Sequence, residues 1–243
     1  MSLFNSPLSV AKADQLIAVL GIKEKSRILD AGCGSGEFLI RAIDASGATG
    51  LGIDIDQKSI DLAQQHASRR IEKGTFEFRV GDMQEPSIGN MKFDLGICIG
   101  STHAFGNGAE AYPNTLRALS QFVRPGGLML IGEGYWKQPP VAEYLEFLGE
   151  PSGVYHDHAE NIALAERAGF LPLCAAVSSD DEWDHFEWSH FMRATQRAEA
   201  CVDSSGQAEG FKRSIAWRNA YLRWGRTTMG FGFYIFRTPA KAD

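Results

Sequence analysis

The stretch Ile28-Leu29-Asp30-Ala31-Gly32-Cys33-Gly34-Ser35-Gly36-Glu37-Phe38 constrains this chain more than any other. A short apolar run ends in an acid, three glycines alternate, and a helical pattern begins. Glycines at that spacing let the backbone turn tightly and let a bound molecule lie against bare peptide. A dinucleotide loop of the form G-x-G-x-x-G needs its third glycine at position 37, so that a pyrophosphate can rest on the helix N-terminus. Glu37 stands there instead. A carboxylate at a helix start suits the helix dipole but is a poor neighbour for a diphosphate. The loop therefore predicts a site for a nucleoside without phosphates and ranks a nicotinamide oxidoreductase last.

Ala48–Ile53 reads as a second strand running into Asp54 and Asp56. In a βαβ unit an acid at that point can accept hydrogen bonds from both ribose hydroxyls. Thr75–Val80 reads as a third strand, followed by Asp82 and Met83, and Phe93–Ile99 as a fourth. Arg124-Pro125-Gly126-Gly127 turns into a fifth, Leu128–Glu133. Helical patterns at Gly36–Ala45, Lys58–Glu72 and Ala111–Phe122 separate them. Such alternation predicts an α/β fold, a parallel sheet with helices on both faces.

In this order the motifs resemble those of the class I S-adenosylmethionine-dependent methyltransferases. Leu29 to Gly36 matches the family's glycine loop, Asp54 its ribose-binding acid, Asp82 the acid beside the adenine, and Pro125-Gly126-Gly127 the lead into strand five. The resemblance covers residues 25 to 135 well and the rest more loosely, and the chain is similar to an uncharacterised bacterial branch of small-molecule methyltransferases. It implies a Rossmann-like, seven-stranded, mostly parallel sheet and S-adenosyl-L-methionine as cofactor. It also implies residue roles. Gly32, Gly34 and Gly36 let the backbone approach the methionine end, and Asp30 helps to hold its amino group. Asp54 takes the ribose hydroxyls with Ile55 against the adenine face. Asp82 accepts from the adenine amine, while the Met83 backbone contacts the ring.

The length of 243 residues is read as one domain over 1–243. A net charge of −6 argues against DNA as the main partner, because phosphate binding wants a basic face. No apolar run approaches the roughly 18 residues of a membrane span. The chain opens on no charged region followed by an apolar stretch, so a cytoplasmic setting is expected. Cys33, Cys98, Cys174 and Cys201 show no C-x-x-C spacing, which disfavours disulfides and structural zinc.

Ser6-Pro7 is read as the start of a first helix with Val10, Ala13, Ile17 and Leu20 on one face and Gly21 at its end. His158–Ala168 reads as a later helix, Phe170–Ser178 as strand six and Gly230–Arg237 as strand seven. Between these two strands, residues 179–229 read as an inserted helical cap. Trp183, Phe186, His190 and Phe191 follow helical spacing, as do Trp217, Tyr221 and Trp224. Two added helices must bury apolar faces, and tryptophan serves that purpose. An insertion at the C-terminal strand ends would also cover a ligand crevice, making Trp183 a candidate substrate contact.

Methyl transfer from a sulfonium is an in-line displacement that needs the acceptor's lone pair aligned with the departing sulfur. An oxygen or nitrogen acceptor can also need a base. Strand four runs into Gly100-Ser101-Thr102-His103, and the resemblance puts this segment beside the transferred methyl. His103 is the first candidate base or acceptor-orienting group, against a purely structural histidine. Glu133 ends strand five beside Tyr135 and Trp136; a carboxylate next to two aromatics can receive a cationic or hydrogen-bonding acceptor. His156-Asp157-His158 lacks a third ligand by spacing, and Asp157 reads as a helix cap, so no metal is expected. Asp180-Asp181-Glu182-Trp183-Asp184 is read as a solvated helix start. Arg193, Arg197, Arg213, Arg218, Arg223 and Arg226 give the cap a basic side. The leading expectation is methyl transfer to a small molecule. The alternatives are an RNA or protein methyltransferase and a non-catalytic SAM-binding module serving a partner protein.

Overall fold

A computed structural model describes residues 3–84, 88–200 and 205–240. Its centre is a seven-stranded sheet made of β1 (Arg27–Ala31), β2 (Thr49–Asp54), β3 (Thr75–Val80), β4 (Phe93–Ile99), β5 (Val123–Trp136), β6 (Leu171–Val177) and β7 (Met229–Arg237). The spatial order is β3-β2-β1-β4-β5-β7-β6. The β1, β2, β3, β4 and β5 ladders are parallel, and β7 runs antiparallel to both of its neighbours. This is the expected Rossmann-like arrangement. The strand order reverses beside β1, and in such sheets the ligand crevice opens there, beyond the C-terminal strand ends.

The central strands are buried on both faces, which is why β1 and β4 read as largely apolar stretches, interrupted by Asp30 and Asp94, rather than as alternating patterns. Ile28, Leu39, Ile40, Ile43 and Ile97 pack on one side of the sheet; Leu29, Leu116, Leu119, Met129 and Phe236 pack on the other. The helices there are α1 (Val10–Leu20), α2 (Glu37–Ser46), α3 (Gln57–Arg70), α4 (Ala111–Ser120), α5 (Ala142–Leu148) and α6 (His158–Arg167). Between β6 and β7 stand α7 (Asp180–Ala200) and α8 (Ser205–Ala220), with a π turn over Tyr221–Gly225 after α8. Trp183 and Tyr221 stack at 6.4 Å between ring centroids and join the core under the sheet.

Four expectations need correction. Helix α1 starts at Val10, not at Pro7. Ser9 is the cap, its hydroxyl accepting from the Lys12 N–H at 3.2 Å, and Val10 is exposed while Leu16 takes the inner face. β5 begins at Val123 and runs on to Trp136, because its partners extend from Phe93 on β4 to Met229 on β7. α5 follows Pro139-Pro140 where only a break was expected. The acidic run opening α7 is not simply solvated. Glu182 takes the Ser9 N–H and the Lys12 ammonium; Asp184 takes Arg226 and the Tyr221 hydroxyl. These bonds tie α7 to α1 and to the chain entering β7. Of the cap arginines, Arg218 lies 4.4 Å over the Phe191 ring and Arg223 4.8 Å over Trp224. Cys201 lies outside the described residues.

β7 carries Phe233, fully buried among residues of the α1 and α2 side of the core. Phe233→Ala should cost about 3–5 kcal/mol of stability through lost burial and a residual cavity. Denaturant unfolding measures it, and a loss below about 1 kcal/mol would mean that this side of the sheet repacks freely.

Candidate active site

The glycine loop is built by backbone geometry that side chains resist. Gly32, Gly34 and Gly36 all have φ between +53° and +75°. A Cβ on Gly32 would lie 2.3 Å from the Ser101 Cβ, and one on Gly36 2.7 Å from the Phe78 ring. The N–H groups of Gly32 and Cys33 both donate to the Ile53 carbonyl, at 2.8 and 3.0 Å, which ties the loop to the end of β2. The Gly34 N–H donates to Asp54 at 2.8 Å, and the other Asp54 oxygen accepts from the Asp56 N–H at 2.9 Å. The loop and the β2 acid therefore hold each other in place.

They wall a crevice of about 310 Å³ with Asp30, Ser35, Glu37, Ser59, Ser101 and His103, closed on one side by Phe4, Asn5 and Ser6. Asp30 is buried, and burial followed by the nearby Asp54 charge pushes its carboxyl up to about 7. Glu37 is also buried, but its charge is met by Arg41 Nε at 2.7 Å and Arg70 Nη1 at 2.6 Å. The acid that marked the loop in the sequence is thus a structural pair that anchors the start of α2 to α3.

A second space of about 420 Å³ adjoins the first and shares Asn5, Ser6, Gly100 and His103 with it. Its walls come from α4 (Tyr112), the end of β5 (Glu133, Gly134), the loop before α6 (Tyr155, His156), α6 (Asn161), α7 (Trp183, Phe186) and β7 (Phe231). Glu133 is buried. Its Oε1 accepts from the Gly134 N–H at 3.0 Å, and its Oε2 has no partner among the described residues. Burial pushes this carboxyl up to about 7. Asn161 is fully buried; its amide N–H donates to the Tyr234 hydroxyl at 3.2 Å, and its Oδ1 has no partner among the described residues. The Trp183 indole N–H is buried and likewise unpartnered among them.

The structure brings Asp30, Gly32, Gly34 and Asp54 together in the first crevice, Glu133 and Trp183 in the second, and His103 on the wall of both. Gly36 is buried at the foot of the loop, where its N–H closes the turn on the Cys33 carbonyl at 2.9 Å. Ile55, Asp82 and Met83 lie outside the crevice walls. Ile55 is 73% exposed at the end of β2, Asp82 is exposed and accepts from the Gln84 N–H, and Met83 is buried in the core. Tyr135 and Trp136 lie outside the second space. Tyr135 packs on Gly230 and His158, and the Trp136 indole donates to the Ser152 carbonyl at 2.9 Å. Asp157 caps α6 through the Glu160 N–H at 2.8 Å. His156 bonds the Ala109 carbonyl and His158 the Tyr234 hydroxyl, each at 3.1 Å. No group of three metal-binding side chains occurs among the described residues.

Sequence reading missed Asn5, Ser6, Tyr112, Tyr155 and Asn161. Only Asn161 carried a signal, as a polar residue four positions before Ala165 on the buried stripe of α6.

Residues 22–185 match the family model described as "Methyltransferase domain". The Escherichia coli (strain K12) protein YjhP, itself uncharacterised, is 30% identical over 95% of this chain and 92% of its own length. Its X-ray structure superposes with a TM-score of 0.88. A SAM-dependent methyltransferase from Geobacter sulfurreducens, in complex with S-adenosyl-L-homocysteine, is 26% identical with a TM-score of 0.87, covering 97% of this chain and 93% of that one. The 27-O-demethylrifamycin SV methyltransferase of Amycolatopsis mediterranei is 28% identical over 49% of this chain and 43% of its length. The chain belongs to the methyltransferase-domain family, and its cofactor is S-adenosylmethionine. The residues present fit that group: a side-chain-free loop faces the crevice, the Asp54 carboxylate lines it at the end of β2, and a buried acid lies beneath the loop.

The two raised acids set a pH dependence. Folded Asp30 and Glu133 keep protons that the unfolded chain releases between about pH 4 and 7, so each acid's contribution to stability falls as pH rises through that window. His158 and His190, whose pKa values burial lowers, act in the opposite direction, so each variant is compared with the parent at the same pH. Asp30→Asn should gain stability relative to the parent as pH rises from 5 to 8, and so should Glu133→Gln. Urea unfolding across that range measures both. A difference that stays constant with pH would show that neither acid is held protonated.

Proposed function

We propose that this S-adenosylmethionine-dependent methyltransferase transfers its methyl group to a small molecule held in the space between Glu133 and the α7 aromatics. The single observation that carries this reading is the shared wall. His103 borders both the nucleoside crevice and the second space, so one side chain faces the junction where donor and acceptor would meet. The second space is lined by eight segments of chain and is sized for a small ligand rather than a polymer. The relative that acts on 27-O-demethylrifamycin SV supports a small-molecule acceptor.

The cofactor, when bound, supplies an electrophilic methyl on a sulfonium, so the protein needs no nucleophile of its own. What this chain contributes is placement. Gly32 and Gly34 would let the methionine end lie on bare backbone. Asp30 would take its amino group, which favours the ionised carboxylate. Asp54 would accept from the ribose hydroxyls through lone pairs not used by Gly34 and Asp56. The exposed Ile55 would cover one adenine face, and Asp82 and the Met83 backbone would reach its edge. On the acceptor side His103 would remove or orient a proton, with Glu133 fixing the far end of the molecule. Burial of the second space keeps water from competing for the methyl group. Trp183 would form an aromatic wall, whereas Tyr135 and Trp136 would act only through packing.

Calorimetry should show S-adenosyl-L-homocysteine binding and no nicotinamide dinucleotide binding. Asp54→Ala should weaken that binding by about 1.5–3 kcal/mol, the range for hydrogen bonds to a charged group, without unfolding the protein. An unchanged dissociation constant would show that another residue holds the ribose. His103→Ala should lower turnover on the true acceptor about a hundredfold while leaving cofactor affinity nearly unmoved. Parent-like turnover and acceptor affinity would return His103 to a structural role.

A further inference from the structure

The acceptor space has an unbalanced set of polar groups. Among the described residues no lysine or arginine lines it, while two carboxylates do, Glu133 and Glu150. Among the same residues Glu133 Oε2 and Asn161 Oδ1, both buried acceptors, have no donor. They belong to one neighbourhood. The Tyr112 hydroxyl donates to the Asn161 carbonyl at 3.1 Å and Tyr234 receives the Asn161 amide, and both tyrosines also feel the Glu133 charge. A buried acceptor left unpaired costs roughly 1–3 kcal/mol, more for a carboxylate, so a ligand that fits should bring the missing donors. Around them stand the rings of Tyr155, Trp183, Phe186 and Phe231. A carboxylate among aromatic faces is the arrangement that selects an ammonium, through charge-assisted hydrogen bonds and cation–π attraction.

Resting on the reading of this space as the acceptor site, we propose that the acceptor molecule carries a protonated amino group, held by Glu133 Oε2 and Asn161 Oδ1 within the aromatic walls. An ammonium offers several N–H donors to a space lined by both orphan oxygens, and it neutralises Glu133. A hydroxyl has one proton and leaves one oxygen bare. A carboxylate or phosphate meets acid with acid and finds no lysine or arginine to receive it. The two histidines on the wall do not change this balance: His156 already bonds the Ala109 carbonyl, and His103 stands at the junction with the nucleoside crevice. Trp183 adds a preference at the other end, since its free indole N–H calls for an acceptor atom on the ligand.

The test uses protein saturated with S-adenosyl-L-homocysteine and three matched sets on benzyl, 2-phenylethyl and cyclohexylmethyl scaffolds. Each set holds the amine, the alcohol and the carboxylate, titrated by calorimetry. At least one amine should bind about tenfold or more tightly than its alcohol, with the carboxylate weakest. Glu133→Gln should erase most of that preference, and Glu133→Asp, which keeps the charge, should retain part of it. S-adenosyl-L-homocysteine binding checks that each variant is folded. Alcohols or carboxylates binding as tightly as amines, no member of any set binding, or an unchanged preference in a folded Glu133→Gln would each overturn the inference. Failure of the parent protein to bind S-adenosyl-L-homocysteine would instead sink the cofactor reading, and this inference with it.

Discussion

Everything in the site depends on how the glycine loop is cinched to its neighbours. Two N–H groups of the loop converge on one carbonyl of β2, a third reaches the Asp54 carboxylate, and Ser101 at the exit of β4 fills the volume that a Cβ on Gly32 would need. Three chain segments from three adjacent strands are thereby brought to one point. Left-handed backbone at Gly32, Gly34 and Gly36 is what makes the approach sterically open. Because the same carboxylate that fixes the loop also faces the crevice, the position of the Asp54 side chain is set by the scaffold before any ligand arrives.

Burial treats the acids of this protein in three different ways. Glu37 is buried and paired, so its charge stabilises the α2–α3 contact. Asp30 and Glu133 are buried without cationic partners among the described residues, and burial pushes both carboxyls up to about 7. Each lines or underlies a different space. The pattern places ionisable groups whose charge depends on what enters beside them on both sides of the junction, whereas the exposed acids at Asp56 and Asp157 serve as helix caps.

The sheet was legible in the sequence because its central strands are apolar on both faces and each ends in an acid or a glycine turn. Ile28, Leu29, Ile97 and Cys98 needed no tertiary knowledge to be placed. The start of α1 was not legible, because Ser6-Pro7 has the form of a cap and only the contact from Glu182, far along the chain, favours Ser9. The structural pairing of Glu37 was hidden for a similar reason: Arg41 lies one turn away, but Arg70 arrives from another helix. The sequence pointed to side chains at and just after strand ends and to Trp183, but not to Asn5, Ser6, Tyr112, Tyr155 or Asn161. Asn161 reaches the second space through packing of α6 against β5 and β7, which no local spacing encodes. Tyr135 failed as a pocket residue because Gly230 opposite it leaves room for the ring against β7.

Asn5 and Ser6 wall both spaces, and the segment that carries them is fastened at its far end by the Ser178 hydroxyl on the Pro7 carbonyl and by Lys12 on Glu182. One strap therefore roofs two rooms. Whatever free energy a nucleoside contributes to ordering that strap is already in place when the second molecule arrives, and the reverse holds with the same factor, since coupling between two binding events is reciprocal. Molecules bound in the two spaces would, in that sense, be each other's effectors.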